Sequence, residues 1–361
     1  MPLFLSDSRV DVDLFAPTAL ICGSVDAAFT SAINLLVKCG RPLGSRDGES
    51  TEILGWSFLL RDLSRTLVMN AVRALDPYYA CGELLWYLSG DPRIDAVRAY
   101  APQYERFAEN GVAWGAYGCR LAGSDLFHRE LAAVGASENR GLPSQLAAVA
   151  ATLVAHPESR QAVVALWNDG DLPHAVKLDK KDMPCTLTLQ FFLRNGRLHL
   201  EVNMRSNDVW LGLPYDVFCF TSIQRLVAHM LDVRPGLYHH KIGSLHLYDR
   251  DRKRAEAALE VGTTIAEDVV SLDCWQGALR MPTSEHVAQC IDVERRARSG
   301  ETSEHLRSLS SRVADHRTIV SEAAVTCMHK WFPPELDCPM PHSSSLKHLV
   351  WRTKEKAREG R

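Results

Sequence analysis

The sequence predicts a mixed α/β protein, and three features support this class. Two runs of alternating apolar residues are joined by Asn195-Gly196, a pair that is strongly favoured in β-hairpin turns. Residues 78–88 have the apolar periodicity of an amphipathic helix. Residues 144–155 predict another helix, which His156-Pro157 ends before a predicted strand over 162–167. Helices and strands are therefore interspersed along one chain.

The composition indicates a globular protein whose ligand is a small anion. The chain has 361 residues, of which 46% are hydrophobic, enough for one large domain or two ordinary ones. The formal net charge of -3 provides no basic field for a nucleic-acid polymer, although a local arginine cluster could hold one phosphate. There is no signal-peptide pattern and no run of about 18 apolar residues. We therefore expect a cytoplasmic protein without a membrane span.

The ten cysteines lack the paired spacing of a zinc site or a disulfide framework. Most lie in apolar segments, as expected for reduced thiols in the cytoplasm. We therefore expect no structural metal.

The remaining elements surround the hairpin. Residues 19–22 and 25–36 fit either a strand or the helix after it, and we favour the helix. Residues 40–60 predict a Gly- and Arg-rich loop that leads into a strand, with Ile53, Gly55, Ser57 and Leu59 on one side. Such a loop can approach an anion closely and bind phosphate through arginine. Beyond residue 250, helical patterns occur near 254–270 and 303–331, followed by a Pro-rich segment and a basic tail.

The predicted hairpin should bring Cys185 close to the segment Arg205-Ser206-Asn207-Asp208. A thiol, a guanidinium group and carboxylates placed together suggest nucleophilic attack on an anionic substrate. The residues alone leave an alternative open, in which a buried core cysteine lies beside a surface ion pair.

Several motifs resemble the thymidylate synthase family and its relatives, the pyrimidine hydroxymethylases. They are Glu83 to Gly90, Pro184-Cys185 with Gln190 after it, Arg205 to Asp208, Leu211 to Asp216, and Gly243 to Tyr248. Their order and spacing fit the family over about residues 35–250. The resemblance implies a thymidylate synthase-like fold with a large mixed sheet and a homodimer packed through the sheets. It also implies 5,10-methylenetetrahydrofolate as cofactor.

The resemblance divides the chain into two parts. It implies a catalytic domain over residues 1–250. Residues 251–361 replace the usual short family ending, and we expect them to form a helical extension packed on the core.

The resemblance also assigns roles to individual residues. Cys185 attacks carbon 6 of a pyrimidine, Glu83 orders water and moves protons, and Asp216 recognises the base. The implied substrate-binding residues are Arg46 with Arg41 in reserve, Arg160 from the other protomer, Gln190, Arg205, Ser206, Asn207, Asp208, His246 and Tyr248. The implied cofactor-binding residues are Glu83, Tyr117, Asp208, Leu211, Gly212 and Tyr215.

Asp216 stands where thymidylate synthases have an asparagine that pairs with uracil. An ionised carboxylate cannot donate to a carbonyl, but it can accept a hydrogen bond from the exocyclic amine of cytosine. The sequence therefore predicts a deoxycytidylate 5-hydroxymethylase that acts on dCMP. The alternatives are a methylase acting on dUMP or dCMP, a CMP hydroxymethylase, and an inactive nucleotide-binding homologue.

Three departures from the family pattern bear on this choice. The tryptophan pair that normally precedes Tyr117 is missing, Thr186 replaces a histidine, and Gln161 replaces the second arginine after Arg160. An altered wall and ending predict that water, rather than hydride from the folate, quenches the methylene intermediate.

Overall fold

The structure is a computed structural model that describes residues 19–45, 48–123, 144–177, 180–261, 284–332 and 338–359. The strands in this part of the chain are β1 (Leu20–Cys22), β2 (Arg41–Ser45), β3 (Gly48–Leu60), β4 (Val163–Ala165), β5 (Thr186–Arg194), β6 (Arg197–Asp208) and β7 (Arg234–Tyr248). They form one sheet in the order β1-β3-β7-β6-β5-β4, and β2 pairs with β3. The pairs β1/β3 and β6/β7 are parallel and the others are antiparallel. The predicted α/β class with a large mixed sheet is confirmed.

Helices pack on this sheet and on one another. They are α1 (Val25–Cys39), α2 (Pro77–Ser89), α3 (Asp95–Tyr100), α4 (Tyr117–Ala122), α5 (Ser144–Ala155), α6 (Asp171–Lys177), α7 (Leu213–Met230), α8 (Asp249–Val261), α9 (Ser284–Arg298), α10 (Glu304–Asp315), α11 (Ile319–Trp331) and α12 (Ser344–Glu359). Helix α7 is buried along nearly its whole length and packs on β6 and β7, while α1 packs on β3. The core therefore lies between these helices and the centre of the sheet.

The hairpin of β5 and β6 forms as predicted. Asn195 and Gly196 have φ values of 50° and 68°, the positive values that a tight hairpin turn requires at both central positions. At the other end of the hairpin, the backbone N–H of Arg205 donates to the carbonyl of Cys185 at 2.8 Å. The turn thus sets the register that places the cysteine beside the Arg205 segment.

The prediction of a loop over the first part of residues 40–60 was wrong. Residues 41–45 form β2, which pairs antiparallel with β3. Pro42 and Gly44 disfavour strands locally, but proline is tolerated on an edge strand, where pairing with the neighbour decides the conformation. Arg41 is exposed on β2, whereas Arg46 lies outside the described residues.

Two other predicted elements have different bounds. The predicted strand over 162–167 is shorter, because only Val163–Ala165 pairs with β5. The helical stretch over 303–331 is two helices, α10 and α11. Arg317 between them adopts a φ of 52°, and the Thr318 side chain accepts a hydrogen bond from the N–H of Ser321 to cap α11. The predicted basic tail contains helix α12.

The helices that follow residue 283 contact α2 and α3. The Tyr100 hydroxyl donates to Glu294 of α9 at 2.7 Å, and the Trp331 indole N–H of α11 donates to the Tyr100 oxygen at 2.9 Å. Gly82 permits this packing, because a Cβ there would lie 2.5 Å from the Tyr100 ring. None of the helices in the described ranges has both the length and the apolar character that a membrane span needs.

Candidate active site

Cys185 lies immediately before β5, and its side chain contacts the guanidinium group of Arg205. The Arg205 Nη2 group donates to the Cys185 Sγ at 3.6 Å and to the Met183 carbonyl at 3.1 Å, while Nε donates to the Pro184 carbonyl at 2.9 Å. The guanidinium group is therefore fixed in place by two backbone carbonyls. It also lies over the Trp167 ring, 5.8 Å from the centroid. The predicted proximity of Cys185 and Arg205 is present.

The Cys185 thiol is protonated in the free enzyme. Although the residue is partly exposed, desolvation around the thiol raises its pKa to about 11. Arg205 lowers this pKa, as we expected, but the effect of burial is larger, and Asp216, Asp182 and Asp208 raise the pKa further. The thiol must therefore lose its proton when it attacks, and a nearby acceptor is required.

Glu83 lies on the buried face of α2, with 6% of its surface exposed. The Tyr79 hydroxyl donates to Glu83 Oε1 at 2.8 Å, and Cys219 Sγ lies 3.9 Å from Oε2. Burial raises the pKa of Glu83 to about 7, and hydrogen bonds from Tyr79 and Tyr87 oppose the rise. A carboxyl group with this pKa can take up and release protons near neutral pH.

Asp216 lies in the first turn of α7 and contacts Asn207. The Asn207 Nδ2 group donates to Asp216 Oδ2 at 2.7 Å. Desolvation raises the pKa of Asp216 to about 8, and Glu83 and Asp208 add to the rise, while Asn207 lowers it. Our premise of an ionised carboxylate at neutral pH was therefore wrong for the free enzyme. The neutral carboxyl group offers one acceptor oxygen and one O–H donor.

Asp208 and Leu211 lie in the turn before α7, and Tyr215 lies in the first turn of that helix next to Asp216; we call these three residues the wall. Asp208 Oδ1 accepts from the backbone N–H groups of Trp210 and Leu211 at 2.8 and 3.1 Å, which fixes the turn before α7. Leu211 is 39% exposed. The Tyr215 ring meets Tyr79 edge-on at 4.6 Å between centroids. This wall combines an apolar surface with a fixed carboxyl group.

His246 and Tyr248 lie on the same side of β7, with their rings 5.1 Å apart. Ser206 Oγ lies 3.4 Å from His246 Nδ1. Because β6 and β7 are adjacent parallel strands, Ser206 and the two β7 side chains form one polar group. The structure thus brings together Ser206, His246 and Tyr248, three of the residues expected at the phosphate and the sugar.

Tyr117 supports the residue that follows the nucleophile. Its hydroxyl oxygen accepts from the Thr186 N–H at 2.9 Å and lies 2.9 Å from Thr186 Oγ1. Tyr117 is therefore at the site, as predicted, and contact with a cofactor stays a prediction.

The structure does not bring Gln190 and Arg160 to Cys185 of the same chain. The Gln190 side chain donates to the Arg160 carbonyl at 2.9 Å. Gln190 lies five residues beyond Cys185, about 16 Å along an extended strand. The Arg160 side chain is exposed.

Sequence reasoning missed several residues at the site. Tyr79 could have been found, because it lies four residues before Glu83 on a helix and so shares its face. Asp182 gave no signal; its Oδ2 accepts from the Gly115 N–H at 3.1 Å, and burial raises its pKa to about 6. The sequence also gave no signal for Trp167 and His240. Their contacts, with Arg205 and Asn207 respectively, join segments that are far apart in the sequence.

This fold and site define an α/β protein in which a cysteine lies beside an arginine and near buried carboxyl groups with raised pKa values. The family model described as "Thymidylate synthase" matches residues 27–270. The chain belongs to the thymidylate synthase family. Members of this family are one-carbon transferases that act at carbon 5 of a pyrimidine nucleotide, and their cofactor is methylenetetrahydrofolate.

Two similar proteins were found among curated relatives and solved structures. The deoxyuridylate hydroxymethyltransferase of Bacillus phage SP01 is 30% identical over 249 residues, which are 67% of this chain and 59% of that protein. The chain thus spans less than two thirds of that relative. Thermostable thymidylate synthase A from Bacillus subtilis aligns with a TM-score of 0.51 at 24% identity, covering 65% of this chain and 84% of that one. The latter similarity shows the fold.

Proposed function

We propose that the protein is a deoxycytidylate 5-hydroxymethylase that uses 5,10-methylenetetrahydrofolate. The observation that carries this proposal is the Asp216 carboxyl group, whose Oδ2 accepts from Asn207 and whose raised pKa keeps it neutral. A neutral carboxyl group can accept from the exocyclic amine of cytosine and donate to ring nitrogen 3. Both polar groups at this edge of the base are then satisfied without protonating the base.

A second candidate is a deoxyuridylate hydroxymethylase. It is favoured by the relative from Bacillus phage SP01, which carries that name. A neutral Asp216 with its proton on the other oxygen would donate to the uracil carbonyl and accept from the ring N–H. The location of one proton on Asp216 therefore separates the two substrates.

The residues of this chain divide the work of the reaction. Arg205 and Ser206 bind the phosphate, and His246 and Tyr248 bind a sugar hydroxyl. Cys185 attacks carbon 6 of the base while its thiol proton passes through water to the Glu83 carboxylate, and this addition makes carbon 5 nucleophilic. Glu83, with a pKa of about 7, takes up and returns protons at the base through water. The folate supplies the one-carbon unit that carbon 5 receives.

The wall formed by Asp208, Leu211 and Tyr215 fits a folate. A pterin ring is flat and carries N–H donors along one edge, so it needs an apolar surface and an acceptor. Leu211 offers exposed apolar surface, and Asp208 uses only Oδ1 in the hydrogen bonds of its turn. A Cβ added to Gly212 would lie 3.0 Å from Asn207 Nδ2. The absence of a side chain at Gly212 therefore leaves room for the hydrogen bond between Asn207 and Asp216.

The test of this function is an assay with methylenetetrahydrofolate and each of dCMP, CMP, dUMP and UMP. We expect dCMP to give the 5-hydroxymethyl product by mass spectrometry, with no rise in dihydrofolate absorbance, because water quenches the methylene group. Stoichiometric dihydrofolate with a 5-methyl product would contradict hydroxymethylation. A preference for dUMP would instead favour the second candidate, and turnover of none of the four would leave the inactive homologue.

We also propose that the enzyme is a homodimer in which Arg160 of one protomer binds the phosphate in the partner's site. In its own chain, Arg160 is exposed, and its backbone is tied to Gln190, far along β5 from Cys185. Leu54 and Val163, on strands of the sheet, are 71% and 41% exposed, which suits packing against a second copy.

Arg160→Ala should weaken nucleotide binding by about 1.5–3 kcal/mol, the contribution of one charge-assisted hydrogen bond. Mixing this variant with Cys185→Ser protein should restore about a quarter of the sites, because half of the randomly formed dimers are mixed and each has one complete site. Arg197→Ala, which removes an exposed arginine on β6, is the control. Mixed dimers without activity would contradict the shared site.

The residue ranges 1–250 and 251–361 are our proposed catalytic domain and helical extension. Contacts of α9 and α11 with Tyr100, next to the helix that carries Glu83, support packing of the extension on the core.

A further inference from the structure

Three hydrogen bonds join β7 to Asp216 through a buried chain of side chains. The Tyr238 hydroxyl lies 2.6 Å from His240 Nδ1, His240 Nε2 lies 3.3 Å from Asn207 Oδ1, and Asn207 Nδ2 lies 2.7 Å from Asp216 Oδ2. Tyr238 and His240 are fully buried, and Asn207 is 2% exposed. We call Tyr238, His240 and Asn207 the relay. None of them except Asn207 is part of the expected site.

The donor and the acceptor of each hydrogen bond in the relay follow from the chemistry of the Asn207 amide and the His240 ring. Asn207 Oδ1 can only accept, so His240 carries its proton on Nε2, and its bare Nδ1 accepts from the Tyr238 hydroxyl. Burial lowers the pKa of His240 to about 3, so the ring is neutral and has one N–H. Asn207 then presents its N–H to Asp216.

The reversed direction is disfavoured by Tyr238. If His240 donated to the Tyr238 oxygen, the Tyr238 O–H would need another acceptor. Among the residues that the structure describes, this hydroxyl has no hydrogen-bonding contact besides His240. A buried O–H without an acceptor is costly. Tyr238 thus fixes the direction of the chain that ends at Asp216.

Gly212 provides independent support for the contact at the end of the relay. A Cβ on Gly212 would lie 3.0 Å from Asn207 Nδ2 and 3.1 Å from Asp216 Oδ2. The absence of a side chain at this position therefore leaves room for this hydrogen bond.

We propose that the relay determines base preference by holding Asp216 Oδ2 as an acceptor, so that the carboxyl proton resides on Oδ1. A carboxyl group free of this constraint could place its proton on either oxygen and would pair with cytosine or uracil. When Oδ2 is fixed as the acceptor, Oδ1 is the donor. The carboxyl group then presents a single arrangement of one donor and one acceptor to the base, which matches cytosine or uracil but not both. Tyr238, His240 and Asn207 are thus positioning residues that act through Asp216.

The groups around Asp216 are consistent with a neutral carboxyl group. Glu83 of α2 and Asp208 of β6 face it and raise its pKa, as does desolvation, and Asn207 alone opposes them. Asp216 in turn raises the pKa of Cys185, Tyr87, Tyr117, Cys219 and Tyr238.

The inference rests on the proposed function, in that Asp216 recognises the base, and it is tested by base preference. The measurement is the ratio of kcat/KM for dCMP and dUMP in Tyr238→Phe and Asn207→Leu enzymes. We expect Tyr238→Phe to reduce the wild-type preference between dCMP and dUMP about fivefold, and Asn207→Leu to reduce it at least about 20-fold. Each substitution removes a hydrogen bond of the relay, and the effect of Asn207→Leu is larger because Asn207 contacts Asp216 directly. Tyr78→Phe, which removes another buried hydroxyl, should keep the wild-type ratio.

The outcomes separate the inference from the proposed function. The wild-type enzyme alone tests the substrate, whereas the change in ratio tests the relay whichever base is preferred. A relay that only stabilises the fold would lower the thermal midpoint and both kcat/KM values equally. Ratios within twofold of wild type in folded Tyr238→Phe protein would overturn the inference, even if Asn207→Leu does not fold.

Discussion

Cys185→Ser should reduce turnover by at least about 1,000-fold while nucleotide affinity stays within about tenfold. A serine hydroxyl beside Arg205 keeps the size and polarity of the side chain, but it is a far weaker nucleophile toward carbon 6. The phosphate and sugar contacts that we propose for Arg205, Ser206, His246 and Tyr248 do not depend on the thiol. Turnover by product formation and affinity by calorimetry measure the two quantities separately.

The matched control for this change is Cys39→Ser. Cys39 is an exposed free thiol at the end of α1, so its replacement should leave turnover within about twofold of wild type. Cys185→Ser protein that retained a tenth of the wild-type turnover would show that another group forms the covalent bond.

The parts of the site that depend on local sequence signals could be predicted. Asn195-Gly196 fixes the hairpin through its two positive φ values, and the hairpin places Arg205 beside Cys185. The spacing of His246 and Tyr248 on one strand likewise predicts a shared side, and their rings are in contact. In each case the backbone period alone decides which side chains meet.

The parts that depend on burial or on distant segments could not be predicted. The sequence shows that Arg205 can lower the pKa of Cys185, but not how much desolvation opposes it. The same holds for Asp216, whose charge we assigned from its residue type. His240 meets Asn207 across 33 positions, and nothing in the local pattern of either strand indicates that contact. Long-range packing sets both the pKa values and the relay.

Glu83→Gln should lower turnover by about 100- to 10,000-fold, the usual contribution of a group that transfers protons. Glutamine keeps the size of the side chain and an oxygen that accepts from the Tyr79 hydroxyl, but it cannot take up a proton. The wild-type pH profile should also change. Burial disfavours the carboxylate, so Glu83 becomes an acceptor only above its raised pKa of about 7, and kcat/KM should fall as the pH drops below that value.

This fall in kcat/KM below pH 7, the acidic limb of the pH profile, should be absent from the Glu83→Gln enzyme, because the group that titrates has been removed. Glu294→Gln is a close control, since Glu294 is also buried and also accepts a tyrosine hydroxyl, that of Tyr100 at 2.7 Å. The control should keep both the turnover and the limb. If the fall in kcat/KM below pH 7 persisted in Glu83→Gln protein, we would assign the titration to Asp216, whose pKa is raised to about 8 and which is an electrostatic partner of Glu83. Proton transfer would then depend on the carboxyl group that contacts the relay.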